Sequence, residues 1–295
     1  MSLPAVFKRP TLLIVGCGDV GMRVAHLLRG RVRVLALTSS PQRVPTLRAA
    51  GVVPLIGNLD HAESLFRCAG VADAVLHLAP PPLSGHTDPR TGNLLRCLAR
   101  EGRVKRIVYG STTGVYGDCG GAMFDETRAV NATTDRARRR VDAECQLRQF
   151  GRTMGVTVTV LRIPGIYAGD REGGHPRDRL KRGSPVLMAE DDVYTNHIHA
   201  DDLARAAIAA LWRGKPQRIY NVSDHSQLKM GDYFDQAADL YGLPRPPRVA
   251  RGAAHDQLPL MLLSFMSESR RLVNTRMLQE LRIQLRYPTT LDGLS

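Results

Sequence analysis

The sequence predicts an α/β fold in which a doubly wound parallel sheet is accompanied by a small C-terminal lobe. Short apolar runs typical of buried strands recur between residues 11 and 167, and segments with apolar residues at helical spacing separate them. Strands that alternate with helices form βαβ units with a parallel sheet. The polar stretch 170–185, which contains Gly and Pro, marks where this alternation loosens.

The N-terminal elements follow one another in order. Residues 11–15 form a continuous apolar run, as in a strand covered on both faces, and a glycine turn after it leads into a helical pattern. We expect further strands at 31–40, 52–59, 72–80, 104–112 and 156–167. The intervening helices are expected at 41–51, 92–102 and 133–150. Beyond them we expect a helix at 199–214, a strand at 218–224, a helix at 231–243 and a loop at 244–252.

Composition narrows the class of protein. The chain has 295 residues, of which 43% are hydrophobic, enough for a sizeable core. The longest apolar candidate, 258–266, is far shorter than the ~20 residues of a membrane helix. Residues 1–10 lack the apolar stretch of a signal peptide, so we expect a cytoplasmic protein with no membrane partner. The five cysteines contain no C-x-x-C pair, which favours a reducing compartment over a disulfide framework.

The charge is strongly positive, with a formal net charge of +13 and a pI of about 10.1. Such a balance suits a nucleic-acid partner. However, the arginines are spread along the whole chain, and a basic nucleic-acid-binding module is kept only as a third hypothesis. The pair His197 and His199 has the letters of a metal site, but we expect no metal.

The segment Gly16-Cys-Gly18-Asp19-Val20-Gly21 lies between the first strand and the first helix. Glycines at this spacing permit a tight turn and a close approach of the backbone to a pyrophosphate, which the helix N-terminus then faces. The sequence therefore predicts a Rossmann-type dinucleotide site. The alternative is a turn of the same shape that binds nothing.

The end of the second strand indicates which dinucleotide is bound. NAD sites place an acidic residue there for the ribose 2′-hydroxyl. Here the strand ends at Thr38 and Ser39, Arg43 follows, and residues 20–59 contain no Asp or Glu. Hydroxyl groups and a guanidinium favour a 2′-phosphate. We therefore expect NADP in preference to NAD, unless Arg43 merely lies on a solvated loop.

Taken together, several motifs resemble one family in their order along the chain. The chain is similar to the extended short-chain dehydrogenase/reductases, the NAD(P)-dependent nucleotide-sugar epimerases and dehydratases. It is most similar to an atypical branch that carries G-x-G-x-x-G. The resemblance covers nearly the whole chain and rests on the segments 57–60, 73–80, 104–117, 161–169, 197–206, 219–224 and 271–295.

The resemblance implies roles by position. Thr112, in VYGSTTGVYG, occupies the place of the family's active-site Ser or Thr, whose hydroxyl binds a substrate oxygen. Family dimers often pair the helix after the fourth strand with the helix after this segment, so a homodimer stays open. The positions implied to line the cofactor are Asn58, Leu59, Leu78, Ala79, Pro80 and Pro164.

One departure concerns catalysis. The family uses Tyr-x-x-x-Lys-x-x-x-Glu, in which the tyrosine is the general acid/base and the lysine lowers its pKa. With Glu144 as anchor, the tyrosine position falls on Arg136 and the lysine position on Arg140, and residues 117–149 contain neither Tyr nor Lys. Arginine stays protonated and cannot exchange a proton near neutral pH. Arg140 is still suited to contact a ribose or phosphate.

Two hypotheses follow from this departure. In the first, the protein is an epimerase/dehydratase-like oxidoreductase acting on a small-molecule substrate such as a nucleotide-sugar, with an atypical active site. Its proton would come from another group, and the candidates are Tyr116, Tyr167, His197 and His199. In the second, the protein is a non-catalytic NAD(P) sensor or scaffold.

Both of these hypotheses depend on the roles of the arginines in the helix at 133–150. A period of 3.6 residues puts Arg136, Arg140 and Glu144 on one face. We expect Arg138 and Arg139 to point to water, with Asp135 pairing Arg139. The alternative is that all four arginines simply solvate the helix. We expect a dinucleotide-binding domain at 1–167 with elements 198–224 returning to it, and a small substrate or partner lobe at 168–197 and 225–295.

Overall fold

A computed structural model describes residues 9–257, 263 and 266–295. The N-terminal decapeptide and the apolar stretch 258–266 therefore lie mostly outside the described residues. Within the described part of the chain, no helix is both long and apolar enough to cross a bilayer.

Seven parallel strands form the central sheet, in the order β12-β7-β5-β4-β1-β2-β3. This sheet confirms the predicted Rossmann-type class. The strand order reverses between β1 and β4, and ligands of such sheets bind at the carboxyl ends of the strands beside this point. The strands are β1 Thr11–Val15, β2 Arg33–Thr38, β3 Val53–Ile56, β4 Ala74–His77, β5 Arg106–Thr112, β7 Thr157–Ile163 and β12 Arg218–Asn221, with a two-residue strand β6 at Met123–Phe124.

Helices cover both faces of the sheet. On one face α1 and α6 pack through a cluster that includes Val24 and Leu203, and on the other α3 and α4 pack through Leu94 and Leu147. The helices are α1 Asp19–Leu27, α2 Val44–Ala49, α3 Pro89–Ala99, α4 Asp135–Met154, α5 Pro176–Lys181, α6 Ala200–Arg213, α7 Met230–Tyr241 and α8 Arg251–Gln257, followed by Thr275–Glu280 and Thr290–Leu294.

Helix α4 is longer than expected. The Thr134 side chain caps its start by accepting a hydrogen bond from the Ala137 N–H at 3.2 Å. Its end is set by Gly155, which has a φ of +65° and closes the helix in the left-handed conformation that glycine adopts readily. The helix therefore continues past residue 150 to Met154.

The smaller lobe is built from two-residue and three-residue strand pairs. The stretch 244–252, predicted to be a loop, contains a short strand at Arg248–Val249 that pairs with Val186–Leu187. The prediction of a loop without a strand was therefore wrong. Met277 and Leu281, late in the chain, fill the hydrophobic cluster beside α1 and α6. The remaining strands are β8 Gly165–Tyr167, β9 Val186–Leu187, β10 Tyr194–Thr195, β11 His197–His199, β13 Leu228–Lys229, β14 Arg248–Val249 and β15 Arg271–Leu272.

Candidate active site

A cavity of about 410 Å³ lies at the carboxyl ends of β1, β2 and β4. It is the crevice at the reversal of strand order, where doubly wound sheets bind nucleotides. The structure brings together on its wall ten residues singled out from the sequence: Gly16, Gly18, Thr38, Ser39, Arg43, Asn58, Leu59, Leu78, Ala79 and Pro80.

The glycines of the first turn fit a cradle for a diphosphate. Gly16 has a φ of +86°, and a Cβ on it would collide with the backbone nitrogen of Ala79, so the turn can lie against the end of β4 only with glycine here. A Cβ on Gly18 would meet nothing within 4 Å. The backbone at Gly18 is therefore open to a ligand, directly before the N-terminus of α1.

The remaining predicted cofactor residues do not line this cavity. Asp19 begins α1, where it pairs with Arg23 at 3.0 Å and Arg171 at 2.5 Å. Val20 is buried, and Gly21 packs the helix closely against the strand. Pro164 is half-buried between β7 and β8. These four positions therefore lie outside the lining of the cavity.

The end of the cavity next to β2 carries hydroxyl groups and a guanidinium. The Thr38 hydroxyl accepts a hydrogen bond from the Ser40 N–H at 3.2 Å, and Ser39 and Arg43 lie beside it on the wall. Burial raises the pKa of the Cys17 thiol to about 11, and the positive charge of Arg43 opposes that rise. Arg43 therefore lies close enough to the turn at Gly16–Gly18 for its charge to act on Cys17.

Arg90, which the sequence did not single out, also lines the cavity. Its guanidinium forms two hydrogen bonds of 2.7 Å with Asp60 and a third, of 3.2 Å, with the Pro80 carbonyl oxygen. Arg90 thereby joins the start of α3 to two loops of the site. The pair Asp88-Pro89 could have located the start of α3, because an Asp cap followed by Pro is typical of a helix start. The helix was instead expected to begin at residue 92, which left Arg90 outside it.

The face of α4 toward β5 holds Arg140 and Glu144. Arg140 donates hydrogen bonds to the Tyr109 hydroxyl at 3.0 Å and to the Gly110 carbonyl oxygen at 2.7 Å. The Arg140 side chain therefore points toward the sheet, two residues before Thr112. The Thr112 hydroxyl lies half-buried at the end of β5 and accepts a hydrogen bond from the Gly114 N–H at 3.3 Å.

Glu144 anchors the same face. It forms a buried ion pair with Arg162 at 2.8 Å and accepts a hydrogen bond from the Ser111 hydroxyl at 2.5 Å. Burial alone would lower the pKa of Arg162, but the hydrogen bonds and charge of Glu144 outweigh it and raise the pKa. This pair ties α4 to β5 and β7 directly below Thr112.

Of the other arginines of α4, Arg138 lies in solvent as expected and Arg139 does not. Arg138 is exposed and pairs with Asp135 at 3.1 Å, whereas Arg139 is buried and donates to the Gly85 carbonyl oxygen at 2.6 Å. The prediction that Arg139 points to water and pairs with Asp135 was therefore wrong. The loop after β4 approaches the helix closely enough to cover this side chain. Arg136 keeps contact with solvent, and burial together with Arg140 lowers its pKa.

The other candidate proton donors are engaged elsewhere. Tyr116 is buried and donates to Asn221 at 2.8 Å, and Tyr167 donates to the Thr289 carbonyl oxygen at 3.1 Å. His197 is stacked on a tyrosine ring, and burial lowers its pKa to about 4. His199 accepts a hydrogen bond from the Asp201 N–H at the start of α6. Among the residues that the structure describes, no group of three or more His, Cys, Asp or Glu is arranged to hold a metal.

The fold and the cavity define a Rossmann-type dinucleotide-binding protein. The family model of the NAD-dependent epimerase/dehydratase family matches residues 12–223. The chain belongs to this family.

The chain is also similar to individual proteins and solved structures. Protein YeeZ of Escherichia coli K12 is 28% identical over 245 residues, covering 79% of this chain and 84% of the relative. A conserved protein of unknown function from Silicibacter pomeroyi is 31% identical, with a TM-score of 0.81 and coverage of 97% and 96%. The fold is also similar to dTDP-glucose 4,6-dehydratase from Bacillus anthracis in complex with NAD, at 15% identity, a TM-score of 0.77 and coverage of 97% and 94%.

Proposed function

We propose that the protein is an NADP-dependent oxidoreductase that acts on a hydroxyl or carbonyl group of a small molecule, with a nucleotide-sugar as the first candidate. The observation that carries the cofactor preference is the wall of the cavity at Thr38, Ser39 and Arg43, where no carboxylate of β2 or the following loop is present to repel a 2′-phosphate. The nucleotide-sugar class is supported by a sequence relative, dTDP-D-glucose 4,6-dehydratase of Homo sapiens, which is 26% identical over 143 residues and covers 47% of this chain and 41% of the relative.

The residues on this wall fit a dinucleotide. The backbone at Gly16 and Gly18 and the N-terminus of α1 would hold the diphosphate. The hydroxyls of β2 and Arg43 would hold the 2′-phosphate, and Leu78 with Ala79 would border the cofactor on the side of β4. When bound, the nicotinamide supplies or accepts the hydride.

In this proposal the chemistry at the substrate oxygen is electrostatic. The Thr112 hydroxyl donates a hydrogen bond to that oxygen, and the guanidinium groups of Arg136 and Arg140 stabilise negative charge on it. In this proposal neither arginine moves a proton, because a guanidinium group has no acceptor and is a poor acid. The proton then comes from water. Such a site favours a reaction in which charge stabilisation at a reacting oxygen matters more than a tuned acid/base.

Cofactor titration tests the proposal directly. NADPH and NADH are titrated calorimetrically, and we expect NADPH to bind roughly tenfold more tightly through charge-assisted hydrogen bonds. Arg43→Ala should remove this preference. Arg48→Ala is the matched control, because Arg48 is exposed on α2 and does not line the cavity. Equal affinity for the two dinucleotides, or a preference for NADH, overturns the NADP assignment.

A second candidate function is a dinucleotide sensor that catalyses no reaction. It is favoured by the burial and the hydrogen bonding of the tyrosines. Tyr109 is fully buried, and the hydroxyls of Tyr116 and Tyr167 are bonded within the fold. A panel of nucleotide-sugars and carbonyl compounds separates the two functions. Absorbance at 340 nm reports net redox change, and chromatography of the products reports epimerisation that leaves absorbance unchanged. Binding of NADPH without any product supports the sensor.

We also propose a division of labour along the chain. The sheet domain, 1–167 with 198–224, binds the dinucleotide, and the lobe formed by 168–197 and 225–295 binds substrate or partner. Met277 and Leu281 are the exception, because they pack beside α1 and α6. A steep salt dependence of DNA affinity would instead favour the third hypothesis, a nucleic-acid-binding module.

A further inference from the structure

The Arg90 side chain has a fixed place on the wall of the cavity of about 410 Å³. Arg90 is the second residue of α3, directly after the Asp88 cap and Pro89, which set the start of that helix. Its guanidinium reaches Asp60 in the loop after β3 and Pro80 in the loop after β4. The side chain is only 26% exposed, so it forms part of the wall rather than extending into solvent.

All three nitrogen atoms of this guanidinium already donate hydrogen bonds within the protein. Nε and Nη2 donate to the two carboxylate oxygens of Asp60, each at 2.7 Å. Nη1 donates to the carbonyl oxygens of Pro80 and Pro81 at 3.2 and 3.4 Å. Because the N–H groups of a guanidinium lie in its plane, these bonds occupy its edge. The part of Arg90 that is left for a ligand is therefore its flat face.

The pairing with Asp60 also makes Arg90 a poor binder of anions. The hydrogen bond with Arg90 lowers the pKa of Asp60, so this carboxylate stays ionised near neutral pH and balances the positive charge. A phosphate at the edge of Arg90 would have to displace a carboxylate that already forms the paired geometry that a guanidinium favours. The ligand group beside Arg90 is therefore expected to be uncharged.

The surroundings of Arg90 suit a planar ring. Leu37, Leu47 and Leu59 line the same cavity, and apolar side chains favour a ring system over a phosphate. Guanidinium groups stack on the faces of aromatic rings, including those of nucleic-acid bases. In the proposed site the phosphates of the dinucleotide have other places, at Gly16–Gly18 and at Arg43. The adenine ring is the planar group that remains in this half of the cofactor.

We infer that the flat face of the Arg90 guanidinium stacks on the adenine ring of the bound dinucleotide, and that Asp60 holds the guanidinium in the required orientation. Arg90 is then a binding residue and Asp60 a positioning residue. The inference rests on the proposed function, because it assigns the residue that holds the base in the same cofactor site. It does not depend on the preference for NADP, since NAD and NADP both carry adenine.

Substitutions at Arg90 separate stacking from charge. The full-length variants are titrated calorimetrically with NADPH, with NADH and with 5′-AMP, which carries the base without nicotinamide. Arg90→Ala and Arg90→Lys should each weaken the binding of all three ligands roughly 10-fold, because lysine keeps the charge but has no flat face. Arg90→Phe should retain most of the affinity, because a phenyl ring offers a face of its own. Arg100→Lys is the matched control, since Arg100 is exposed at the end of α3 and does not line the cavity.

Asp60→Asn separates the face of Arg90 from its edge. The amide holds the guanidinium less firmly than the carboxylate, so each ligand should bind more weakly than to wild type but more tightly than to Arg90→Ala. If Arg90 instead binds a phosphate through its edge, removal of the competing carboxylate frees that edge, and NADPH binds more tightly. Tighter binding of NADPH to Asp60→Asn therefore overturns the inference.

Three other results also overturn it. Affinity retained in Arg90→Lys and lost in Arg90→Phe would show that charge, not a flat face, binds the ligand. Equal losses in all three Arg90 variants, together with lower thermal unfolding midpoints, would show that Arg90 only joins the two loops. Unchanged binding in Arg90→Ala would show that its face touches no part of the ligand.

The proposed function and this inference fail in different ways. If the wild-type protein binds NADH as tightly as NADPH, or binds both and forms no product, the proposed function fails while the Arg90 variants still test the stacking. If the wild type binds the dinucleotides and the Arg90 variants bind them equally well, the inference alone fails. If the wild type binds none of the three ligands, both fail.

Discussion

Arg140 and Tyr109 are joined by a hydrogen bond of 3.0 Å between the guanidinium and the phenol oxygen. Tyr109 is fully buried, and burial raises its pKa to about 12 although Arg140 opposes the rise. The phenol therefore stays neutral at physiological pH and holds the arginine in place. Arg140 thus joins α4 to β5.

Loss of the Arg140 side chain should destabilise the protein. Arg140→Ala leaves the buried Tyr109 hydroxyl and the Gly110 carbonyl oxygen without a partner, which costs about 1–3 kcal/mol of unfolding free energy. Arg138→Ala, at an exposed ion pair, should cost less than about 1 kcal/mol. Urea denaturation measures both. Equal effects of the two substitutions would show that Arg140 does not hold the helix to β5.

Two glycines of the first turn should respond differently to alanine. Gly16→Ala places a Cβ against the backbone of Ala79 and requires a φ of +86°, so we expect a loss of folding stability even without ligand. Gly18→Ala has open space in the free protein and should unfold like wild type. Its methyl group would nonetheless face the diphosphate and weaken NADPH binding. Thermal unfolding with and without NADPH separates these outcomes, and similar behaviour of both variants would contradict the assigned turn.

The ion pair beneath the active site should be costly to break. Glu144 and Arg162 are both almost fully buried, so Glu144→Gln leaves a charge without its counter-ion and should lower the unfolding free energy by about 3–5 kcal/mol. Asp135→Asn, which removes the partner of exposed Arg138, should cost about 1 kcal/mol or less. Denaturant titrations of both variants at one pH provide the comparison. A loss below 1 kcal/mol for Glu144→Gln would show that the pair is not desolvated.

Asp224 should make stability depend on pH. Burial raises its pKa to about 8, and the charges of Asp202 and Asp292 add to the rise. The folded state therefore binds this proton more tightly than the unfolded state does. The stabilisation is complete below about pH 4 and is lost as the pH rises to about 8, at up to about 1.4 kcal/mol per pH unit.

Asp224→Asn isolates this contribution. The amide keeps the shape of the protonated carboxyl group but does not ionise in this range. The difference in unfolding free energy between the variant and wild type should grow in favour of the variant from pH 5 to pH 8. Parallel profiles would mean that Asp224 ionises in the folded protein as readily as in the unfolded chain.

The strands of the central sheet, the order of the helices and the glycine turn after β1 were predictable from the sequence because they depend on local patterns. An apolar run such as 11–15 and a glycine turn at fixed spacing carry their own signal. The end of α4 was misplaced by a few residues, since Gly155 rather than the apolar pattern sets it. Boundaries that depend on one capping residue are harder to locate than the elements themselves.

The burial and the contacts of individual arginine side chains were not predictable in this way. Helical periodicity placed Arg140 and Glu144 on one face correctly, but Arg139 became buried because Gly85, 54 residues earlier, approaches it. Arg90 lines the cavity, and its guanidinium pairs with Asp60, which is 30 residues away in the sequence. The partner of a long charged side chain can lie far away in the sequence. The spacing of residues within one helix does not predict such a contact.

The late segment at Met277 and Leu281 has a consequence for biosynthesis. Every strand of the central sheet is made before these residues, yet they complete the apolar layer beside α1 and α6. A chain emerging from the ribosome therefore presents its nucleotide-binding half with that layer still uncovered. Such a surface is prone to aggregation until it is closed. Synthesis of the segment that contains Met277 and Leu281, rather than of the last strand of the sheet, therefore closes this layer.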